Sequence, residues 1–436
     1  MGANLWYGVN LAKEKPDRLI EELDKLKDIG VTNLRVLAVT QGPNDAPLRI
    51  KPATELLKEG NAITDLNEEY MKALDSLIFE AGKRNMSVVM VINNFWYWSG
   101  GFAQYVNWFS DKKEPIPYPD KKDNKSHDKY IKYTQQFYKC TECMKAYDHL
   151  AERVISRKNT VSDIFYKDDP TIMAWELAYR LYPGDNSGEA TKWINESCEK
   201  IKKIDTNHMV AIGNTGIIHD DYNSSIKLKC IDYGTFHVWP ESFDWYDSYN
   251  GKNFDEVIEK TKEFIKDNVE KIHSQLKEIN DDKPLVLEEF GLARDDRDLD
   301  ISSTTHYRDR FFSIVFECLK DYMDIQKVSG ANFWGWAGKG RPKNKIWKEG
   351  ADWIGDPPSE DQGWLSIYDD DTTSEIIKEY AKLFAAPRMI EDHPLRWNFW
   401  MLIVVSVSVV VGGITIDLLK RKANTSEQDL LINEEL

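Results

Sequence analysis

Lys283-Pro-Leu-Val-Leu-Glu-Glu-Phe-Gly-Leu-Ala-Arg-Asp295 opens on a short apolar run, 285–287, that reads as a buried strand. The run ends in two carboxylates, Glu288 and Glu289, then an aromatic and a glycine. A parallel strand that delivers a carboxylate at its C-terminal end is how a (β/α)8 barrel presents chemistry. Side chains alternate along a strand, so Glu288 and Glu289 are not expected both to point inward. One is a candidate nucleophile. The other is expected against the surrounding helices or a neighbouring cation.

Outward from this strand the chain alternates. Strand-like runs occupy 5–10, 33–37, 87–93, 171–178, 208–213, 231–237 and 330–334. Helical spacing occupies 15–29 (Leu19, Ile20, Leu23, Leu26, with Gly30 as C-cap), 67–84, 189–204, 254–279, 304–323 and 374–384. Residues 129–157 read as one long helix after a polar surface insertion at 111–129. Eight strands, nearly all separated by helices, predict parallel pairing and a closed α/β barrel, the TIM architecture. An open doubly wound sheet fits less well, because no Gly-rich phosphate loop follows the first strand.

Composition narrows the function. A net charge of -16 argues against a nucleic-acid groove, which needs clustered Lys and Arg. Fifteen Trp exceed what a core of this size needs. Many follow strand ends, where they can stack on sugar rings or fill core. The five Cys are too few for a disulfide framework, although one or two bridges fit an oxidising compartment. Cys140-x-x-Cys143 has no second pair at zinc spacing, so no metal and no cofactor is expected. Asn124, Asn195 and Asn223 head Asn-x-Ser sequons, about the number chance supplies.

The C-terminal end differs in kind. Residues 398–416 are uncharged, and a helix of that length reaches roughly 28 Å, close to the hydrocarbon core of a bilayer. Trp397 and Trp400 suit an interfacial belt, and Lys420-Arg-Lys422 puts the tail in the cytoplasm. The expected order is a barrel at 1–388, a juxtamembrane linker at 389–396, a single transmembrane helix at 397–419 and a cytoplasmic tail at 420–436. The barrel would then be extracellular or lumenal, with the lipid bilayer as a partner. That placement requires a targeting signal, and none opens this sequence, so an incomplete start is expected. Myristoylation at Gly2 is disfavoured because Trp6 stands where Ser or Thr is wanted. Residues 427–432 resemble an acidic dileucine sorting signal.

Several stretches converge on one family. Gly2-Ala-Asn-Leu-Trp-Tyr-Gly8, Gly30-Val-Thr-Asn-Leu-Arg-Val-Leu37, Asn93-Asn-Phe-Trp96, Ser99-Gly-Gly101, Asp169-Pro-Thr-Ile-Met-Ala-Trp-Glu-Leu-Ala178, His237-Val-Trp239, Leu287-Glu-Glu-Phe-Gly291 and Asn332-Phe-Trp-Gly-Trp-Ala-Gly338 together resemble glycoside hydrolase family 5, nearest its endo-β-1,4-mannanase branch. The resemblance implies hydrolysis of β-mannan or a related polysaccharide by retaining double displacement, with two carboxylates about 5 Å apart. It implies Glu289 as nucleophile and Arg35 as the arginine that holds it ionised. His237 matches a histidine lining the site. Trp334 or Trp336 matches the platform under the sugar, and Trp96 and Trp98 look like further subsite walls.

One departure cuts across this. After Trp175-Glu-Leu-Ala178 the family continues Asn-Glu-Pro-Arg, where the Glu is the acid/base. This chain continues Tyr179-Arg180-Leu181-Tyr182-Pro183-Gly184, so both residues are absent by substitution or by a short deletion that kept Arg180. Glu176 lies on the same face but four residues earlier, roughly 13 Å deeper. Asp185 and Glu189 lie in the following loop. Three readings follow: a membrane-anchored mannanase-like hydrolase whose codons for 175–183 are misread, a pseudoenzyme that binds glycan in a Trp-lined cleft, and a cell-surface scaffold.

Overall fold

Eight parallel strands form the centre of the molecule: β1 (Gly2–Asn4), β2 (Asn33–Leu37), β3 (Ser87–Val91), β4 (Ile172–Glu176), β5 (Met209–Ala211), β6 (Gly234–Val238), β7 (Leu285–Phe290) and β8 (Val328–Phe333). They pair in the order β5-β4-β3-β2-β1-β8-β7-β6. In register, Gly2 lies opposite both Asn332 and Asn33, Arg35 opposite Val89, and Leu287 opposite Phe236. The remaining seam, between β5 and β6, is stitched by Asp232 N–H to Val210 O at 2.9 Å and by Thr235 Oγ1, which bonds Asn214 N and O at 2.9 and 2.8 Å. The result is a nearly closed TIM-like barrel.

The computed structural model describes residues 1–386 except 43–47, 58–63, 112–113, 121–122, 215, 217–224 and 250. Its compact unit runs from Met1 to Ala385. The linker, membrane helix and tail expected at 389–436 lie outside the described residues, as does the Asn223 sequon. Among the described residues no helix is long and apolar enough to cross a membrane.

The helices that cover the barrel follow from apolar stripes in the sequence. In α1 (Gly8–Glu14) and α2 (Pro16–Asp28), Leu11, Leu19, Leu23 and Leu26 are buried, and Pro16 at the first helical position costs no hydrogen bond. In α3 (Glu68–Lys83), the Asn67 side chain caps the Glu69 N–H at 3.1 Å. The others are α4 (Gly101–Phe109), α5 (Asn124–Thr134), α6 (Thr141–Ile155), α7 (Ser187–Ile204), α8 (Phe254–Glu278), α9 (His306–Asp324) and α10 (Thr372–Ala385). Phe290 packs on Phe312 and Phe316 of α9, which ties the key strand to its outer layer.

Two sequence expectations are corrected here. The first strand is Gly2–Asn4 and not 5–10: the segment after it turns, and α1 begins at Gly8. The single helix expected over 129–157 is broken. A 3-10 turn (Gln135–Lys139) follows α5, and Cys140 is extended at φ -97°, ψ 95°, its sulfur accepting the Cys143 N–H at 3.2 Å as the cap of α6. Cys140 and Cys143 are disulfide-bonded, as are Cys198 and Cys230, while Cys318 is a free thiol. Helix α4 was not foreseen in the aromatic, glycine-rich segment that follows β3.

Candidate active site

Arg35, the third residue of β2, points into the barrel and is 1% exposed. Its Nε donates to Glu176 Oε2 at 2.7 Å, and its terminal nitrogens bond Glu176 Oε1 and Glu289 Oε1. Glu288 Oε2 lies 3.4 Å from the same guanidinium, and Asn4 Oδ1 accepts from it at 3.2 Å. Burial alone would lower the Arg35 pKa. The three carboxylates, Glu176 first, override it and hold the group well above its ordinary value. Burial pushes Glu176 well above the usual carboxylate range against the pull of Arg35, and burial also raises Glu288. The Glu176–Glu288 pair therefore retains a proton where an exposed pair would not.

The structure overturns the expectation that only one of Glu288 and Glu289 points inward. Strand β7 slips register against β6 between Leu287 and Glu289, so that Glu289 lies opposite His237 and Glu288 is the extra residue of a bulge. Both carboxylates consequently meet Arg35. The alternative partner foreseen for the second carboxylate, a neighbouring cation, is the one observed. Asn4 Nδ2 donates to Glu288 O at 2.9 Å and fastens the bulge to β1.

His237, near the end of β6, faces both carboxylates. Its Nε2 lies 3.2 Å from Glu288 Oε2, and its Nδ1 lies 3.2 Å from Glu289 Oε2 without hydrogen-bond alignment. Burial pushes its pKa down to about 3, against the attraction of Glu289, so the imidazole is neutral at ordinary pH. A neutral imidazole has one N–H and serves one of the two carboxylates at a time. The Tyr179 hydroxyl is pushed well above its ordinary pKa by burial and then by Glu289, and its ring lies 4.3 Å from the Arg35 guanidinium.

Above this charged layer opens a cavity of about 80 Å³ at the C-terminal ends of the strands, where barrel chemistry is sited. Glu289 lines it, with Trp96, Trp98, Trp334, Tyr179 and Arg180. Tyr179 packs edge-on against Trp98 and Trp334, with ring centroids 5.8 and 5.7 Å apart. Trp239 lies beside Trp334 at 6.0 Å, and its ring reaches in because Gly291 offers no Cβ, which would stand 3.0 Å from it. The segment after β8 supplies Glu360 and Trp364 to the rim.

Of the residues read from the sequence, Glu289, Arg35 and His237 are brought together, with Trp96, Trp98 and Trp334 around the opening. Trp336 is not: it is fully buried, with its indole N–H on Glu22 at 2.8 Å. Glu176 lies beneath the cavity, clamped by Arg35 and held close by Gly213, where a Cβ would come 2.2 Å from its carboxylate. Asp185 and Glu189 do not line the cavity, and both are exposed. Sequence reasoning missed Tyr179, Trp239, Glu360 and Trp364. Trp239 stood inside a quoted motif. Glu360 and Trp364 lie on an irregular segment without periodicity to mark them.

A family model described as GH family 5 beta-mannosidase-like matches residues 1–388. The chain belongs to glycoside hydrolase family 5. Among solved structures, this family-5 chain is similar to a Glycoside Hydrolase Family 5 Mannosidase from Rhizomucor miehei at 32% identity and a TM-score of 0.78, covering 88% of this chain and 92% of that one. A mutant of the same protein, solved in complex with mannosyl-fructose, has a TM-score of 0.79, with the same identity and coverage. In sequence it is similar to mannan endo-1,4-beta-mannosidase 1 of Solanum lycopersicum, 27% identical over 329 residues, covering 70% of this chain and 73% of the relative. It is also 25% identical to mannan endo-1,4-beta-mannosidase 1 of Arabidopsis thaliana over 328 residues, covering 70% of this chain and 69% of the relative. It is thus a mannanase- or mannosidase-like glycoside hydrolase of family 5.

Proposed function

We propose that the chain recognises β-mannoside chains and that Glu289 attacks the anomeric carbon in a retaining displacement. The observation that carries this reading is Glu289 itself, paired with buried Arg35 at the floor of a cavity walled by Trp96, Trp98 and Trp334. Indole faces suit the apolar faces of sugar rings, and a carboxylate bonded to a buried guanidinium is aimed. The relatives named above act on mannan by name, which supports mannose-type units and leaves endo action as part of the proposal. The barrel is proposed to be held at a membrane by residues 397–419, with its cleft on the extracellular or lumenal side.

The proton donor is the weak part of the machinery. Aligned without a gap after Ala178, Arg180 stands where the family's acid is expected, and with a short deletion it is the family's own arginine. Either way the acid is missing, and a general acid contributes typically 10²–10⁴-fold. A second reading, a catalytically impaired glycan-binding protein, is favoured by that one residue. Both readings predict mannotriose binding, and they separate on turnover. For 2,4-dinitrophenyl β-mannoside, whose leaving group needs no proton, the hydrolase reading expects release that Glu289→Ala reduces at least about 100-fold. Binding of mannotriose, followed by calorimetry, should weaken about tenfold or more in Trp334→Ala and Trp96→Ala. Unchanged binding in both variants would remove the glycan cleft. Absence of release in the wild type would leave the binding protein.

A further inference from the structure

Arg180 continues the β4 ladder, its N–H donating to Gly213 O at 3.0 Å. It stands four residues beyond Glu176, so it falls on the same face of the strand. Its backbone is in the left-handed region at φ +62°, which L-residues rarely adopt. Its side chain lines the same cavity as Glu289. The guanidinium is flanked by the rings of Trp96 at 5.5 Å and Tyr182 at 5.9 Å. Among the described residues its side chain has no hydrogen-bond or ion-pair acceptor, and its Nε is buried with no partner. By contrast, Arg35 in the layer below is bonded to carboxylates on both Glu176 and Glu289. The cavity therefore pairs a nucleophile with a permanent, unused cation that has five N–H donors.

A glycosidase that expels a sugar alcohol needs an acid, because the unprotonated leaving group is an alkoxide, nearly as basic as hydroxide (conjugate acid of about 15.7). An arginine cannot supply that proton, since it stays charged at any working pH. It can stabilise a leaving group that departs as an anion, and planar bidentate donation is what phosphoryl oxygens accept best. Resting on the reading of Glu289 as nucleophile, we infer that this cavity acts on β-glycosyl phosphates, with Arg180 binding the phosphoryl group and stabilising its departure in place of a proton donor.

The step balances without an acid. Glu289 forms a bond to the anomeric carbon as the C1–O bond to phosphorus breaks, and that electron pair leaves on the phosphoryl oxygen, facing Arg180. In the second step a water oxygen bonds to C1, and the ester pair returns to the Glu289 carboxylate. The diester leaves as an alkyl phosphate dianion, and the monoester, reacting as its monoanion, leaves as the hydrogen phosphate dianion. The water's proton passes to that released dianion, a base with a pKa of about 6, or to solvent once it has gone. A phosphate monoester and a lipid or alkyl phosphodiester offer the same chemistry to Arg180. Monoester substrate would yield inorganic phosphate, and diester substrate an alkyl phosphate.

The test uses the full chain in mild detergent. Substrates are β-mannosyl 1-phosphate, the octyl β-mannosyl phosphodiester and mannobiose, with phosphate, octyl phosphate and mannose measured. Phosphate or octyl phosphate release by the wild type is expected, falling at least about 100-fold in Glu289→Ala and about 10²–10³-fold in Arg180→Gln. Whichever of the two is cleaved identifies the source of the phosphoryl group. Arg180→Glu, which puts a carboxylic acid back, is expected to lose phosphate release and gain mannobiose hydrolysis. That exchange of preference separates the proposal from simple misfolding. The inference is overturned if the wild type releases neither phosphate nor octyl phosphate faster than Glu289→Ala does, or if Arg180→Gln retains full release. It is also overturned if the wild type cleaves mannobiose and Glu360→Gln stops it, because the donor would then be the acid on the rim. Mannotriose binding, measured alongside, distinguishes failure of this substrate class from failure of the β-mannoside reading itself.

Discussion

Arg35 is surrounded by three carboxylates, from Glu176, Glu288 and Glu289, all of them buried. A single cation cannot neutralise all three, so burial leaves Glu176 and Glu288 with raised pKa values against its pull. Removing the cation while leaving the acids is the costly kind of change, worth about 3–5 kcal/mol. Arg35→Met is expected to lower stability by that order in chemical denaturation at pH 7. The pH dependence follows from the direction of the shifts. A carboxyl whose folded pKa is raised contributes most at low pH and loses that contribution as pH rises through the folded value. The variant should therefore recover part of its loss as pH falls toward 5. Equal loss at pH 5 and pH 8 would mean that Arg35 acts by packing alone. The sequence made Arg35 and Glu289 legible because each stands in a quoted motif on an apolar strand. It hid Glu288, because alternation assumes an unbroken pleat and a bulge is decided by neighbouring strands.

Among elements, the ones with a repeating apolar stripe were the legible ones. Helix α3 begins where Asn67 announces it, and α8 runs from Phe254 almost to its expected end at 279. What failed was context. Whether 129–157 is one helix or two depends on the Cys140–Cys143 bridge and on packing against α4 and α7, neither of which has a period. The small sheet of Gln41–Gly42, Glu55–Leu57 and Thr64–Leu66 beside the barrel was equally invisible, since its strands are two or three residues long. It carries a testable acid. Glu55 is fully buried, accepts from the Tyr105 hydroxyl at 2.7 Å, and burial raises its pKa to about 7. The folded form therefore keeps a proton that the unfolded chain gives up above pH 4.5, and stability is lost as pH rises from about 4.5 to about 7. A shift of that size corresponds to about 3 kcal/mol. The difference in unfolding free energy between wild type and Glu55→Gln should change by that order, in favour of the variant, between pH 4.5 and 7.5. A difference that stays constant with pH would show Glu55 ionised in the fold.

On the scale of the whole molecule, the barrel is what makes distant segments into one site. Arg35, Trp96, His237, Glu289 and Trp334 come from five different strands or the segments that follow them, and only parallel order with crossovers delivers all five to one face. That order was readable from the alternation of strands and helices. The rim was not, because Glu360 and Trp364 reach the cavity from a segment with no periodic pattern. The remaining question at this scale is where the barrel works. Residues 398–416 are uncharged and are followed by Lys420-Arg-Lys422, and transfer of such a run into a bilayer is strongly favourable. A chain held that way resists extraction by alkaline carbonate, which strips proteins bound only through charge. The full chain is expected to stay in the membrane pellet after carbonate treatment. A variant ending at Arg388 is expected in the supernatant, binding mannotriose as the full chain does, because the compact unit ends at Ala385. Carbonate release of the full chain would rule out a membrane-spanning anchor and leave the apolar run to some other contact. Loss of mannotriose binding on truncation would mean that residues beyond 388 support the cleft. If both expectations hold, the apolar run anchors the chain between the barrel and the basic tail, and we propose that Glu289 meets its glycan or glycosyl phosphate on the side of the membrane opposite that tail.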